Sequence, residues 1–219
     1  MAAFRQRLHR YTTLLVAELA LLLVYPFFTG FSSHNHLFRL CAIVVFSAAL
    51  YAVLGKGRVT AIAILLGIPA ILIRLINATT HTGMFHLADE FLGVIFMVFV
   101  TCVLVRTILS DPSVTTDTLA GAVSAYMMIG ITFGLAYMLI EHLAPGSLRD
   151  TIEPGKQLLP SEFTFFSFVT LTTVGYGDIV PWLPHARSLA ILESIIGIMY
   201  PALLVSRLVG LHGRKRENS

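Results

Sequence analysis

The sequence predicts an all-α membrane protein with six transmembrane helices and one shorter segment that enters the bilayer and turns back. Three observations carry that reading. Of 219 residues, 56% are hydrophobic and only 12% charged, whereas soluble domains carry about 25% charged residues. Six stretches are apolar over the roughly 20 residues needed to cross about 30 Å of hydrocarbon. One further apolar run, 163–174, is too short to cross. The same figures, with a mean hydropathy of +0.82, exclude a soluble enzyme and a disordered chain. Cys41 and Cys102 both lie inside apolar runs, so neither a disulfide framework nor a paired-cysteine metal site is expected.

The spans are read at 11–30, 37–55, 59–77, 90–109, 118–141 and 187–209. The first is a helix and not a cleaved leader, because 19–28 runs into Thr29-Gly30-Phe31 without a small-x-small cleavage pattern. Basic residues set the direction. An inside N-terminus places Arg5, Arg7, Arg10, Lys56, Arg58, Arg106, Arg207, Arg214, Lys215 and Arg216 in the cytoplasm. Only Arg39, Arg149, Lys156 and Arg187 then lie outside, with Arg74 inside a span. Both termini are expected in the cytoplasm.

The loops are short except 143–160, which is rich in Pro and Gly and lies outside. The short run that follows suits a re-entrant segment. Irregular backbone at membrane depth is tolerated only where it lines a watery path or is buried in protein. A polar path is therefore expected here. Pro160-Ser161-Glu162 reads as a helix start, with Ser161 as N-cap and Glu162 near the positive end of the dipole. The negative end of that helix then points to mid-membrane, where a cation is hardest to hold.

The helix runs into Thr172 and then Thr173-Val174-Gly175-Tyr176-Gly177-Asp178. Two glycines free the backbone to aim successive carbonyls one way, which residues with a Cβ rarely do. An ordinary glycine turn is the bland alternative. TVGYG arises by chance in about one chain in ten thousand of this length at average composition, and its place between two spans makes chance rarer still.

On these residues, 118–211 resembles the potassium channel superfamily, specifically small bacterial channels with a two-helix pore unit. TVGYG is the sequence of known potassium filters, so this step is a match and not a deduction. Outer helix, pore helix, filter and inner helix follow in that family's order. The resemblance implies a homotetramer whose filter, Thr173 to Gly177, binds K⁺ at Thr173, Val174, Gly175 and Tyr176, with Thr172 and Asp178 in support. It also implies a glycine hinge nineteen residues after the filter aspartate, at Gly197. Ile198, Pro201, Val205 and Val209 would then face the cavity or inner gate. Pro201 can kink the inner helix, but not where the Pro-Val-Pro of voltage-gated relatives falls. Two departures stand out. The family's paired pore-helix tryptophans look like Phe165 and Phe166 here, and the glutamate behind some bacterial filters is Val169. Tyr176 and Asp178 must find other partners, and filter inactivation is expected to differ.

Six spans with the pore last is the layout of voltage-gated channels, yet the fourth span argues against a sensor. Each charge contributes only about 2.3 kcal/mol per 100 mV, and 91–105 contains no charge, with Arg106 at its cytoplasmic end. Glu18, Arg74 and Glu193 are the ionisable residues inside spans. At 1.5 Å per residue Glu18 lies about 10 Å deep and Arg74 about 22 Å, so Arg74 is expected to reach Asp89 or Glu90 instead of Glu18. Glu193, one turn before Gly197, is expected to pack the inner helix on the pore helix. His34, His36, His81, His86, His142 and His185 gather toward the outer side, where solvated histidines are the ordinary reading and modulation by pH or metals the bolder one.

The expected organisation is a four-helix domain, 1–110, resembling a voltage-sensor-like domain without gating charges. A cytoplasmic linker, 111–117, joins it to the pore domain, 118–211, and a short basic tail, 212–219, follows. The short link favours each four-helix domain sitting beside its own pore. Basic ends can touch anionic lipid at about 1 kcal/mol per charge, although fixing topology is their ordinary role. The expected function is passive K⁺ conduction across a cell membrane, the bacterial inner membrane by the resemblance. Neither catalysis, nor an organic cofactor, nor a nucleic-acid partner is implied. A weakly selective cation pore and a non-conducting scaffold are the alternatives.

Overall fold

The computed structural model describes residues 10–24, 34–55, 57–80, 86–111 and 115–217. Its order is α1 (Arg10–Val24), α2 (His34–Val53), α3 (Arg58–Thr80), α4 (His86–Ser110), α5 (Thr116–Leu143), β1 (Leu148–Asp150), α6 (Pro160–Leu171), β2 (Ile179–Pro181) and α7 (Pro184–Glu217). Among the described residues, α3, α4, α5 and α7 are long and apolar enough to cross a membrane. The described part of α1 has 15 residues, and the apolar stretch of α2, Leu40–Val53, is also shorter than a span. Arg5, Arg7, His81 and the end of the first expected span lie outside the described residues.

The chain divides into two compact units. The first holds the described residues up to Ile108 and Thr115–Met128. Here α1 packs on α2 and α2 on α3, around Leu14, Phe46, Phe96, Met97 and Leu104, all fully or almost fully buried. Close approach comes from a small residue: a Cβ on Gly67 would meet the Phe96 ring at 2.7 Å. Pro69 sits inside α3, as membrane helices tolerate where neighbours satisfy the freed carbonyl. Exposed Leu23, Leu65 and Val98 suit helices whose outer faces meet lipid.

Arg74 forms a salt bridge from Nε to Asp89 Oδ1 at 3.0 Å, and its guanidinium lies 3.9 Å over the Phe46 ring. Asn77 donates to the other Asp89 oxygen at 3.4 Å. Glu18, fully buried, accepts a hydrogen bond from Ser124 Oγ at 2.8 Å. The two spans' charges thus find separate partners, which the depth difference along their helices demands.

The second unit holds Leu109–Val114 and the chain from Ile129 onward. Its core is Tyr137, Leu148, Phe163, Phe166, Ile179 and Ala186. The strands β1 and β2 form a two-stranded antiparallel pair with Leu148 opposite Pro181 and Asp150 opposite Ile179. An all-helical reading does not anticipate this pair, and three residues per strand are too few to show alternation. α7 continues to Glu217, past the 209 where apolarity ends, because the Leu, Arg, Lys and Glu that follow are good helix formers. Part of the expected tail is therefore helix.

Candidate functional site

Between α6 and β2 the backbone is irregular from Thr172 to Asp178. α6 starts two residues earlier than Ser161 would have it: Leu159 is the N-cap and Pro160 the first helical residue. Proline is pre-set for that place because its fixed φ suits the first turn and its missing N–H is needed by no one. Glu162, three residues after the cap, reaches back and accepts the Leu159 N–H at 2.6 Å. Lys156 Nζ donates to the other Glu162 oxygen at 2.8 Å, which raises the lysine's pKa.

At its other end α6 turns directly into the TVGYG segment. The N–H groups of Thr172 and Thr173 donate to the Phe168 and Thr170 carbonyls, both at 3.0 Å. Val174 and Gly175 both donate to the Val169 carbonyl, at 2.9 and 3.4 Å. Val169 thus supports the loop through its backbone, while its side chain is buried. The Thr172 hydroxyl donates to the Phe168 carbonyl at 2.6 Å, closing the helix end.

Beyond this anchor φ takes positive values at every second residue: 59° at Thr173, 60° at Gly175 and 80° at Gly177. Alternation of this kind lets successive carbonyls share one side, where a strand would turn them alternately. Thr173 is the single non-glycine with positive φ among the described residues, and holding a side-chain-bearing residue there costs about 1–2 kcal/mol. Strain of that size persists where surrounding structure over-determines it, and it gathers at functional sites. All five residues of the motif are exposed in the single chain.

The two phenylalanines in the tryptophan positions have different tasks. Phe165 stacks on Tyr176 with ring centroids 6.2 Å apart and planes within 4°. Phe166 is buried and meets Tyr137 edge-on at 4.9 Å. Asp178 accepts its own neighbour's N–H, from Ile179, at 2.9 Å. Its carbonyl accepts the Thr151 N–H at 2.8 Å. Thr151 sits beside β1, and Asp150 fixes its approach by accepting the Ile152 and Glu153 N–H groups at 2.8 and 2.9 Å. Those donors, the Glu153 N–H foremost, hold the Asp150 carboxyl below the usual carboxylate range.

Behind α6 lies a fully buried polar cluster. Glu193 of α7 accepts from Ser167 Oγ at 2.5 Å and from Tyr137 OH at 2.7 Å. Ser167 Oγ also lies 2.6 Å from the Gly130 carbonyl. Glu193 therefore binds α7 to α6 and α5, and both its oxygens have partners, as a buried carboxylate requires. One turn on, Gly197 packs against the Leu171 backbone at the end of α6, so closely that a Cβ would collide with the Leu171 carbonyl. The helix runs unbroken through Gly197 and Pro201. Gly197, expected as a hinge, is thus a point of close approach between α7 and the end of α6. Ile198, Pro201, Val205 and Val209 are all exposed on α7, and Ile198 also lines an apolar groove of about 400 Å³ with Pro181, Ile191 and Ile195 among others.

Thr151, Tyr137 and Ser167 carry no sequence signal that sets them apart from other polar residues in or near apolar helices. Their roles come from residues 26 to 56 positions away. Of the six outward histidines, His185 lies 2.8 Å from Ser147 Oγ, while the His34 and His36 side chains lie outside the described residues. Among the described residues no group of three or more His, Cys, Asp or Glu is placed to hold a metal.

A family model described as "Ion channel" matches residues 137–211. Protein LctB of Geobacillus stearothermophilus is 30% identical over 127 residues, covering 54% of this chain and 92% of that protein. The inward rectifier potassium channel Kirbac3.1 of Paramagnetospirillum magnetotacticum is 33% identical over 85 residues, 37% of this chain and 25% of that one. The two pore potassium channel c of Oryza sativa subsp. japonica is 33% identical over 85 residues, 39% of this chain and 17% of that one. This chain thus spans a quarter or less of the length of these last two relatives. No solved structure gives a significant match.

Proposed function

The chain belongs to the ion-channel family, and from that premise we propose that 118–211 is one quarter of a homotetrameric pore that conducts K⁺ selectively and passively. The observation that carries the reading is the alternating positive φ at Thr173, Gly175 and Gly177, directly after the C-terminus of α6. Four such loops around an axis would offer stacked rings of carbonyl oxygens from Thr173, Val174, Gly175 and Tyr176 in place of water around K⁺. The Thr173 hydroxyl would add the innermost ring, and the negative end of α6 would steady a cation below it. The matched potassium channels support this choice of ion.

One loop makes a quarter of a ring, so assembly is obligatory for conduction. Support comes from what a single chain leaves uncovered: Tyr176, Val174 and Phe165 of the loop, and Ile191, Ile195 and Ile198 of α7, are exposed. Six spans with both termini in the cytoplasm complete the reading, with the four-helix unit as a scaffold without gating charges. Because Gly197 is packed against Leu171, bending of the inner helix falls to Pro201, one turn further on. K⁺ moves down its electrochemical gradient, and the protein supplies only the path.

The test is ion flux into liposomes holding the purified full-length protein. K⁺ uptake that exceeds Na⁺ uptake and is stopped by Ba²⁺ supports the proposal. Equal K⁺ and Na⁺ flux makes the chain a weakly selective cation pore. Silence in all lipids and at all voltages makes it a non-conducting scaffold.

A further inference from the structure

We propose that Thr151 is a positioning residue for the outer end of the conduction loop, a role that rests on reading 173–177 as the ion path. The pairing of β1 with β2 sets Asp150 opposite Ile179, which brings the residue after one strand against the residue before the other. There Thr151 makes three contacts with the end of the motif. Its N–H donates to the Asp178 carbonyl at 2.8 Å. Its hydroxyl lies 2.8 Å from the Gly177 carbonyl and 3.1 Å from that of Asp178. One hydroxyl has one proton, so the shorter contact, to Gly177, takes most of it.

Gly177 carries the last carbonyl of TVGYG, at a φ of 80°, where the residue has no Cβ to restrain it. A carbonyl oxygen has two lone pairs. A hydroxyl held on one of them fixes the direction of the other, and the other is what an ion at the mouth meets. Phenylalanine at 165 and 166 has no donor to offer, so this hydroxyl supplies side-chain restraint from a different quarter. The strap that carries Thr151 is itself tied down. Asp150 accepts two N–H groups in the turn around it, and Lys156 bridges Asp150 at 3.8 Å and Glu162 at 2.8 Å. Residues 150–156 thereby join the start of α6 to the end of the loop it feeds. Neither end can shift without the strap.

The experiment compares wild type, Thr151→Val and Thr151→Ser as full-length protein in lipid nanodiscs, in K⁺ and in Na⁺. Valine keeps the shape and removes the donor; serine keeps the donor. Deuterium uptake is followed in peptides covering 172–182, and current decay under sustained K⁺ in planar bilayers. Thr151→Val is expected to raise exchange there roughly fivefold, the loss of about one net hydrogen bond, to erase any extra protection given by K⁺, and to speed current decay. Thr151→Ser is expected to match wild type. Unchanged exchange in Thr151→Val overturns the proposal even when wild-type current is K⁺-selective. Serine behaving like valine also overturns it, because the hydroxyl is then not the cause. A wild type without K⁺-selective current overturns the conduction reading, and with it a positioning role, even if exchange rises in the valine variant.

Discussion

Glu18 and Glu193 are both fully buried carboxyls within apolar helices, and the two units treat them differently. Glu193 is held at both oxygens by side chains from two other helices. Glu18 has one partner, Ser124, and its Oε1 has none in the structure. The same contrast runs through the backbone. In the first unit the one described residue with positive φ is Gly57, in a loop, whereas the second unit has Thr173, Gly175 and Gly177 in a row of alternation. The first unit is packed around Phe46 and Phe96 like an ordinary helical core. The second spends its polar groups on holding a strained loop still. The buried side-chain hydrogen bonds of Glu193 thus lie directly behind the helix that leads into the proposed path.

The sharpest way to break that contrast is a single methyl group. Gly197→Ala drives a Cβ into the Leu171 backbone, which cannot step aside; overpacking of this kind costs typically 1–3 kcal/mol. K⁺ flux and tetramer yield are expected to fall severely. In Gly67→Ala the added Cβ meets the Phe96 ring and a Leu50 methyl, side-chain atoms and not backbone, and flux is expected to fall far less. Equal loss in both variants, read by liposome flux and size-exclusion elution, would remove the distinction between the units.

Next in size is the pair of buried carboxyls. Glu193→Leu leaves the Tyr137 hydroxyl without its acceptor, at about 1–3 kcal/mol for an unsatisfied group, and leaves Ser167 only the Gly130 carbonyl. Glu18→Leu strands only Ser124 and removes an oxygen that already lacked a partner. Thermal unfolding in detergent is expected to show a clear drop in Tm for Glu193→Leu and little change or a gain for Glu18→Leu. The reverse order would mean that Glu18 does more than fill space.

The two phenylalanines sharpen the account inside the second unit. Phe165→Trp, beside Tyr176, is expected to change the time course of single-channel currents. Phe166→Trp enlarges a side chain packed edge-on against Tyr137 and is expected to lower stability first. Recordings of both variants indistinguishable from wild type would show that neither position governs the loop.

The smallest effect is on pH. The Asp150 carboxyl lies below its ordinary range because of the Glu153 N–H first, with help from the Ile152 N–H and Lys156. Its contribution is complete above the ordinary value of about 3.9 and is lost as pH falls through the lowered one. Lys156, raised chiefly by the Glu162 hydrogen bond, keeps its contribution until pH rises past about 10.4. Fluorescence of Trp182, the single tryptophan, which carries Arg149 over its ring at 4.1 Å, is therefore expected to stay flat between external pH 5 and 8. A transition near pH 6.5 would contradict this.

Much of this site is legible in the sequence, for identifiable reasons. Apolar runs show helices, and a rare five-residue string shows the loop. That Arg74 reaches Asp89 or Glu90 and not Glu18 follows from depth along helices of known rise, and the choice of Asp89 comes from the structure. What the sequence hides is whatever depends on one residue meeting another far along the chain. β1 and β2 are too short for a pattern, Thr151 looks like any loop threonine, and Ser167 looks like a polar residue tolerated in an apolar helix. The misplaced N-cap is instructive too: serine at 161 is a good cap by type, but proline at 160 fits the first helical position better. Gly197 shows that the spacing of a glycine is readable while its task, bending or close approach, is settled by its neighbours.

The most direct measurement is the reversal potential of currents through the full-length protein in a planar bilayer with K⁺ on one side and Na⁺ at equal concentration on the other. The proposed pore predicts a reversal far from zero, on the side set by K⁺, and abolished together with the current by Ba²⁺. A reversal at zero, or no current from protein that elutes as a folded tetramer, would contradict a K⁺-selective path through residues 173–177.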